Sequence, residues 1–237
     1  MTGGPYYSTV WTRAAPPLAH HRTSRTELTH VVIAFLVLTA DLVIILSGRG
    51  LLEGGTASGL VAPISTYFVL LAVAAALTGF IAHEMAHKFA ARRLGYWAEF
   101  RMWPSGLLLS LLTSAAGFLF AAPGATMVGG MDPRNVNGWG RVGLAGPTSN
   151  LLFATGFYLA SFATYHFAPV LSGGLLFLAV INTIFATFNL LPIGPLDGAK
   201  VLRWGTARWL AVFLVSFAFL VLTYTAYYHY GSPFLAW

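Results

Sequence analysis

The chain has 237 residues, of which 57% are hydrophobic and only 8% charged, with a mean hydropathy of +0.72 and a formal net charge of +6. That balance excludes an ordinary soluble domain, and the absence of Cys excludes disulfides and thiolate sites. No composition break, fixed-period repeat or low-complexity linker marks a second domain, so the sequence reads as a tail over 1–27 and one membrane-embedded domain over 28–237.

In chain order, residues 1–27 are too long and polar to precede a cleaved signal peptide's apolar core. They read as a cytoplasmic tail. Five spans follow, at about Leu28–Ser47, Leu60–Ala90, Leu144–Phe167, Gly174–Leu191 and Trp209–Tyr228. The segment WPSGLLLSLLTSAAGFLFAAPGATMVGG, residues 103–130, also has an apolar core long enough to cross. A crossing there would put Arg134 and Arg141 outside and reverse every later span. The sequence therefore predicts that it enters and returns, with a short helix around Gly106–Thr113 and an extended return through Gly117, Pro123 and Gly124. Such backbone is tolerated at membrane depth only where protein or a watery cavity covers it. An ordinary sixth span is the alternative. The expected fold class is an all-α polytopic membrane protein of about five or six transmembrane helices with a re-entrant or β segment.

The cations orient this scheme. With the N-terminus inside, twelve of the 13 Lys and Arg residues fall on the inner side and only Arg49 falls outside. Membrane lipids are their expected phosphate partners, and nucleic acid is not expected, because no binding motif accompanies them. Small size and the lack of targeting signals place the chain in a prokaryotic cell membrane, multi-pass.

Near the inner end of the second span stands FIAHEMAHKFAARRLG, residues 80–95. His83 and His87 are one helical turn apart on one face, and two imidazoles so placed can hold one zinc ion. Glu84 lies beside them, pointing about 100° away, where it can serve a metal-bound water without becoming a ligand. HExxH is the metalloprotease arrangement. An ionisable group at membrane depth costs about 2.5–3.5 kcal/mol on insertion scales, so these residues need a functional reason.

A catalytic zinc commonly takes three protein ligands. Among the remaining histidines, His20 and His21 are in the tail, His30 starts span one, and His166 and His229 lie at the outer ends of spans three and five. Among the acids, Glu53 is in an outer loop and Asp41 lies in the outer half of span one, lining a polar crevice or pairing with a neighbour. Glu27 and Asp132 read as solvated, and Glu99 as a surface ion pair with Arg101. Asp197 lies in FNLLPIGPLDGAK, residues 188–200, where span four returns to the inner side and Pro192, Gly194 and Pro195 break the helix. It is either the third ligand or the cap of the next helix.

Three motifs, His83-Glu84-Met85-Ala86-His87, then Gly146-Pro147-Thr148-Ser149-Asn150, then Asn189 to Gly198 (NLLPIGPLDG), resemble in kind and order those of the site-2 protease family of intramembrane zinc metalloproteases. The resemblance covers about residues 60–200 as a three-span catalytic core. It implies one zinc on His83, His87 and Asp197, Glu84 as catalytic acid/base, and Asn150 near the substrate carbonyl. An amide N–H there could stabilise an oxyanion; a helix–helix hydrogen bond is the alternative. Asn189 would brace the broken loop. Partners would be proteins with transmembrane helices, unwound locally for cleavage, and an edge strand from 123–145 could pair with them. PDZ and CBS domains, common in the family, have no room here. The sequence does not specify substrate identity or oligomeric state.

Three other readings use the same residues. A metal transporter would carry acids and histidines along a path across the bilayer, whereas here they cluster at one depth with only Asp41 beyond. A non-catalytic binder of transmembrane helices would not need Glu84. A membrane zinc protease acting on prenylated C-termini would use a glutamate as third ligand, and the best-placed acid here is Asp197.

Overall fold

A computed structural model of the chain describes residues 23–48 and 65–231. Most of the tail, with His20 and His21, lies outside the described residues, as do Arg49, Glu53 and the start of the second span. Helix α1 spans Arg25–Leu46, and the side chain of Ser24 caps it by accepting from the Glu27 amide at 3.0 Å. Helix α2 spans Thr66–Arg93. It is α-helical to Ala75, π-helical over Ala76–Ile81 and α-helical again over Ala82–Arg93. Arg92 and Arg93 favour its C-terminal end, and Gly95, with φ +82°, supplies the left-handed residue that stops it.

Strand β1 (Trp97–Met102), helix α3 (Pro104–Ala116) and strand β2 (Gly124–Gly129) follow. The strands are antiparallel, with Trp97 opposite Gly129 and Met102 opposite Gly124. The Trp103 amide donates to Pro123 O at 3.0 Å, so the segment leaves and returns at one point. Thirteen helical residues rise about 20 Å, short of the ~30 Å hydrocarbon core. Residues 103–123 therefore form a re-entrant excursion, and the sixth-span alternative falls away.

Helix α4 (Val136–Thr164) begins eight residues before the expected Leu144, because Asn135 caps it by accepting from the Gly138 amide at 2.9 Å. Helix α5 is Pro169–Asn189, α6 is Asp197–Trp204, and α7 is Thr206–Ala226, continued by a π-helical turn, Tyr227–Gly231. Among the described residues, four helices, α1, α2, α5 and α7, are long and apolar enough to cross a membrane. At 29 residues α4 is long enough too, but glycines and polar groups dilute its N-terminal half. The chain is thus a polytopic, all-α membrane protein carrying one small sheet. Large apolar side chains such as Leu36, Leu152 and Val215 face outward, where lipid rather than water is the solvent.

Small residues bring the helices together around the site. Ala72, Ala75 and Ala76 of α2 are fully buried in the cluster that holds Ala34, Leu38 and Leu42 of α1. On α4, a Cβ at Gly140 would overlap the Trp204 side chain, and one at Gly143 would press on Lys200. These glycines let α4 lie directly against α6, the helix that starts with Asp197.

Two acids differ from expectation. Glu27 is buried rather than solvated, with both oxygens 2.6 Å from Lys88 Nζ and Oε1 accepting the Phe100 amide at 3.1 Å. Lys88 is therefore paired inside the fold and not free for lipid. Glu99 does pair with Arg101, but it is buried and also accepts from Ser24 Oγ at 3.2 Å. Asp41 is buried against the re-entrant helix, accepting from Ser114 Oγ at 2.8 Å. Asp132 is exposed and holds a turn by accepting from the Arg134 amide at 2.8 Å.

Candidate metal centre

His83 and His87 project from the turn of α2 that follows the π-helical stretch. His87 Nδ1 is 2.6 Å from Val142 O of α4, and His83 Nδ1 is 2.5 Å from Asn150 Oδ1 on the same helix. A backbone carbonyl only accepts, so Nδ1 of His87 carries the hydrogen. Asn150 Nδ2 donates to Gly79 O at 2.9 Å, Thr78 O at 3.3 Å and Asn182 Oδ1 at 3.1 Å. Its oxygen must then face His83, and Nδ1 of His83 is also the protonated nitrogen.

Both Nε2 atoms thus present lone pairs. They lie 3.0 Å apart, and Asp197 Oδ2 is 3.2 Å from one and 2.9 Å from the other. One proton could bridge one pair of these acceptors but cannot satisfy all three. A divalent cation can. Tetrahedral bonds of ~2.0–2.1 Å would separate ligands by roughly 3.3 Å, close to the spacing found. Lys200 Nζ holds the other aspartate oxygen, Oδ1, at 2.8 Å, which leaves Oδ2 for the cation. Leu196 precedes α6 without a side-chain cap bond, so Asp197 is committed to the histidines and Lys200 rather than to capping.

His83, Glu84, His87 and Asp197 are each no more than 8% exposed. Gly146 faces the histidines, and a Cβ there would overlap both Nε2 atoms. The carboxylate of Glu84 points to β2, where Thr126 donates its amide to Oε2 at 2.7 Å. Among the described residues, His83, His87 and Asp197 make the single group of three or more such side chains able to share an ion. His30 lies instead at the sheet, 3.4 Å from the Met102 amide. Asn189 donates to Phe185 O within its own helix, and the loop after it is held by Trp209 Nε1 on Leu190 O at 2.8 Å. Both Asn150 N–H groups are occupied by the helix packing, as the helix–helix alternative requires. Sequence reasoning missed Thr126, Asn182 and Lys88; only the Glu–Lys complement of Glu27 and Lys88 left a trace, and it spans 61 residues.

The fold and site together define a helical membrane protein with a His2Asp group able to hold a metal ion, enclosed between helices. Two known proteins match it in sequence. The chain is 38% identical over 149 residues to "Putative zinc metalloprotease MJ0611" of Methanocaldococcus jannaschii, covering 60% of this chain and 74% of that protein. It is 30% identical over 153 residues to "Putative zinc metalloprotease Rip3" of Mycobacterium tuberculosis, covering 63% of this chain and 34% of that protein. This chain belongs to the site-2 protease family. No family model matches it, and no solved structure does.

Proposed function

We propose that this protein is a zinc endopeptidase that hydrolyses peptide bonds within or near the transmembrane helices of other membrane proteins. The observation that carries the reading is the convergence of three unprotonated acceptors beside Glu84, inside the bundle. Zinc there would polarise a peptide carbonyl and acidify water. Glu84 would take a proton from the attacking water and return it to the leaving amine. The glycine at 146 leaves room on the α4 side of the histidines. A helical substrate hides its carbonyls in its own hydrogen bonds and must unwind locally. The outer edge of β2, unpaired with any other strand among the described residues, then offers a partner for the extended stretch by strand addition.

The domain that carries this chemistry is 28–237, in a cell membrane with the N-terminus and active site towards the cytoplasm. Support comes from the described cations: Arg92, Arg93, Arg134, Arg141, Arg203 and Arg208 all occur where α2 ends, where α4 and α7 begin, or on the short helix α6 that starts with Asp197. Because the site is closed, a substrate requires an opening, and α1 and α7 are the helices expected to move. The experiment is cleavage of a tagged single-span substrate by purified protein, beside Glu84→Gln, with and without chelator. Cleavage by wild type alone, lost with chelator, supports the reading. Cleavage by both proteins, or metal flux into liposomes without cleavage, refutes it.

A further inference from the structure

The two strands are bonded to each other on their inner edges and held by a carboxylate on each outer edge. Phe100 and Thr126 face each other across the ladder. The Phe100 amide donates to Glu27 of α1, and the Thr126 amide to Glu84 of α2. Both amides point away from the ladder, so the two residues form a non-hydrogen-bonded pair.

Thr126 makes a second approach to the same group. Its Oγ1 is 2.8 Å from Glu84 Oε2 and 2.9 Å from Glu84 O. A hydroxyl has one hydrogen to give, so that hydrogen is divided between the two acceptors while the amide is committed to Oε2. Among the described residues no donor reaches Oε1. We infer that Thr126 is a positioning residue for Glu84: its amide and hydroxyl clamp one carboxylate oxygen and leave the other to exchange the proton. This rests on the reading of Glu84 as the group that moves that proton.

The residue type fits the task. A β-branched side chain suits a strand and is stiff at χ1, so the hydroxyl is held at a fixed angle to the carboxylate. Serine keeps the donor but not the stiffness, and valine keeps the shape but not the donor. Two donors also serve where one would not. A substrate strand added to β2 needs an outward amide, and Thr126 supplies one. When a substrate carbonyl accepts that amide hydrogen, the hydroxyl alone keeps Oε2 in place, so the amide holds Glu84 before substrate binds and the hydroxyl holds it throughout.

The test compares wild type, Thr126→Val and Thr126→Ser as purified full-length protein on a tagged single-span substrate, with zinc content measured for each. A misplaced catalytic group costs roughly 10–100-fold in rate, so Thr126→Val should lose about that factor in kcat with KM and zinc content unchanged. Thr126→Ser should recover most of it. A valine variant with wild-type kcat overturns the inference. So does one that loses zinc, which would make the hydroxyl a scaffold, or one changed in KM alone, which would make it a docking group. A second arm needs no catalysis, so it separates failure here from failure of the protease reading. Hydrogen exchange at the Thr126 amide should quicken about tenfold in Glu84→Ala while Met127, bonded across the ladder, is unaffected. Equal protection in both proteins overturns the inference even if wild type cleaves nothing.

Discussion

Replacing Lys88 with Met tests whether the sheet and α1 are pinned to α2 by charge. The Glu27 and Lys88 side chains are 1% and 7% exposed, and Nζ is 2.6 Å from both carboxylate oxygens. Nζ also donates to Thr23 Oγ1 at 3.1 Å. Methionine keeps the volume of the stem and removes the charge, leaving the Glu27 carboxylate with the Phe100 amide and no counter-ion. Stranding one partner of a buried pair costs about 3–5 kcal/mol. For a chain of this size each kcal/mol shifts Tm by about 2–4 °C, so Lys88→Met should melt roughly 6–20 °C lower. The double variant Lys88→Met/Glu27→Gln removes both charges and keeps an oxygen for the Phe100 amide. It should recover most of the loss, because the penalty belongs to the stranded charge and not to the missing pair. The assay is thermal unfolding in mild detergent followed by circular dichroism. A single variant within 2 °C of wild type, or a double variant less stable than the single, would refute the pinning argument.

Metal analysis gives the next check: alanine at His83, His87 or Asp197 should abolish bound zinc, and alanine at His30 should leave it unchanged. Gly146→Ala should behave against helix propensity. Alanine is favoured over glycine by about 1 kcal/mol in a helix interior, yet the new Cβ overlaps both histidine Nε2 atoms, so zinc content and activity should fall even if the protein melts no lower. The chain has no Cys, so single cysteines need no background removed. Cysteines at Arg101 and Arg134, on either side of the re-entrant segment, should react with an impermeant thiol reagent from the same face of sealed vesicles. Labelling from opposite faces would restore the sixth span.

The residues that meet at the metal centre were legible because their chemistry is local or punctuated. HEMAH places two ligands and an acid on one turn, and the Pro/Gly breaks around Asp197 mark a chain that changes direction. The return of 103–130 was legible from charge alone, since a crossing would have stranded Arg134 and Arg141. Other features depend on register and distance. Thr126 reaches Glu84 only because the strands pair with Phe100 opposite it, and nothing in PGATMVGG reveals that register. Glu27 read as solvated because it follows a polar tail, while its partner lies 61 residues on. The start of α4 was misplaced because Gly138, Gly140 and Gly143 lower the local hydropathy. Those glycines are there to admit Asn135, Trp204 and Lys200 side chains at close range.

The irregular turn of α2 explains how an ambiguous amide comes to have one orientation. Over Ala76–Ile81 the helix is π-wound, and the Ala82 amide reaches back five residues to Leu77 O. In an α-helix it would have taken Thr78 O. That carbonyl is released sideways, and with Gly79 O it presents two acceptors to the interior of the bundle. An unmet carbonyl at this depth would be costly, and Asn150 meets both with Nδ2. Asn182 adds a third acceptor on the same side while its own Nδ2 donates to Thr78 Oγ1 at 3.0 Å and Leu178 O at 2.9 Å. Asn150 cannot flip without setting an oxygen against three others, so its oxygen stays on His83 and the His83 proton stays on Nδ1. The lone pair of Nε2 is thereby left available to a cation. π-bulges are enriched at functional sites, and here the reason is concrete: one displaced carbonyl, five residues before His83, sets the protonation pattern of a side chain it never touches.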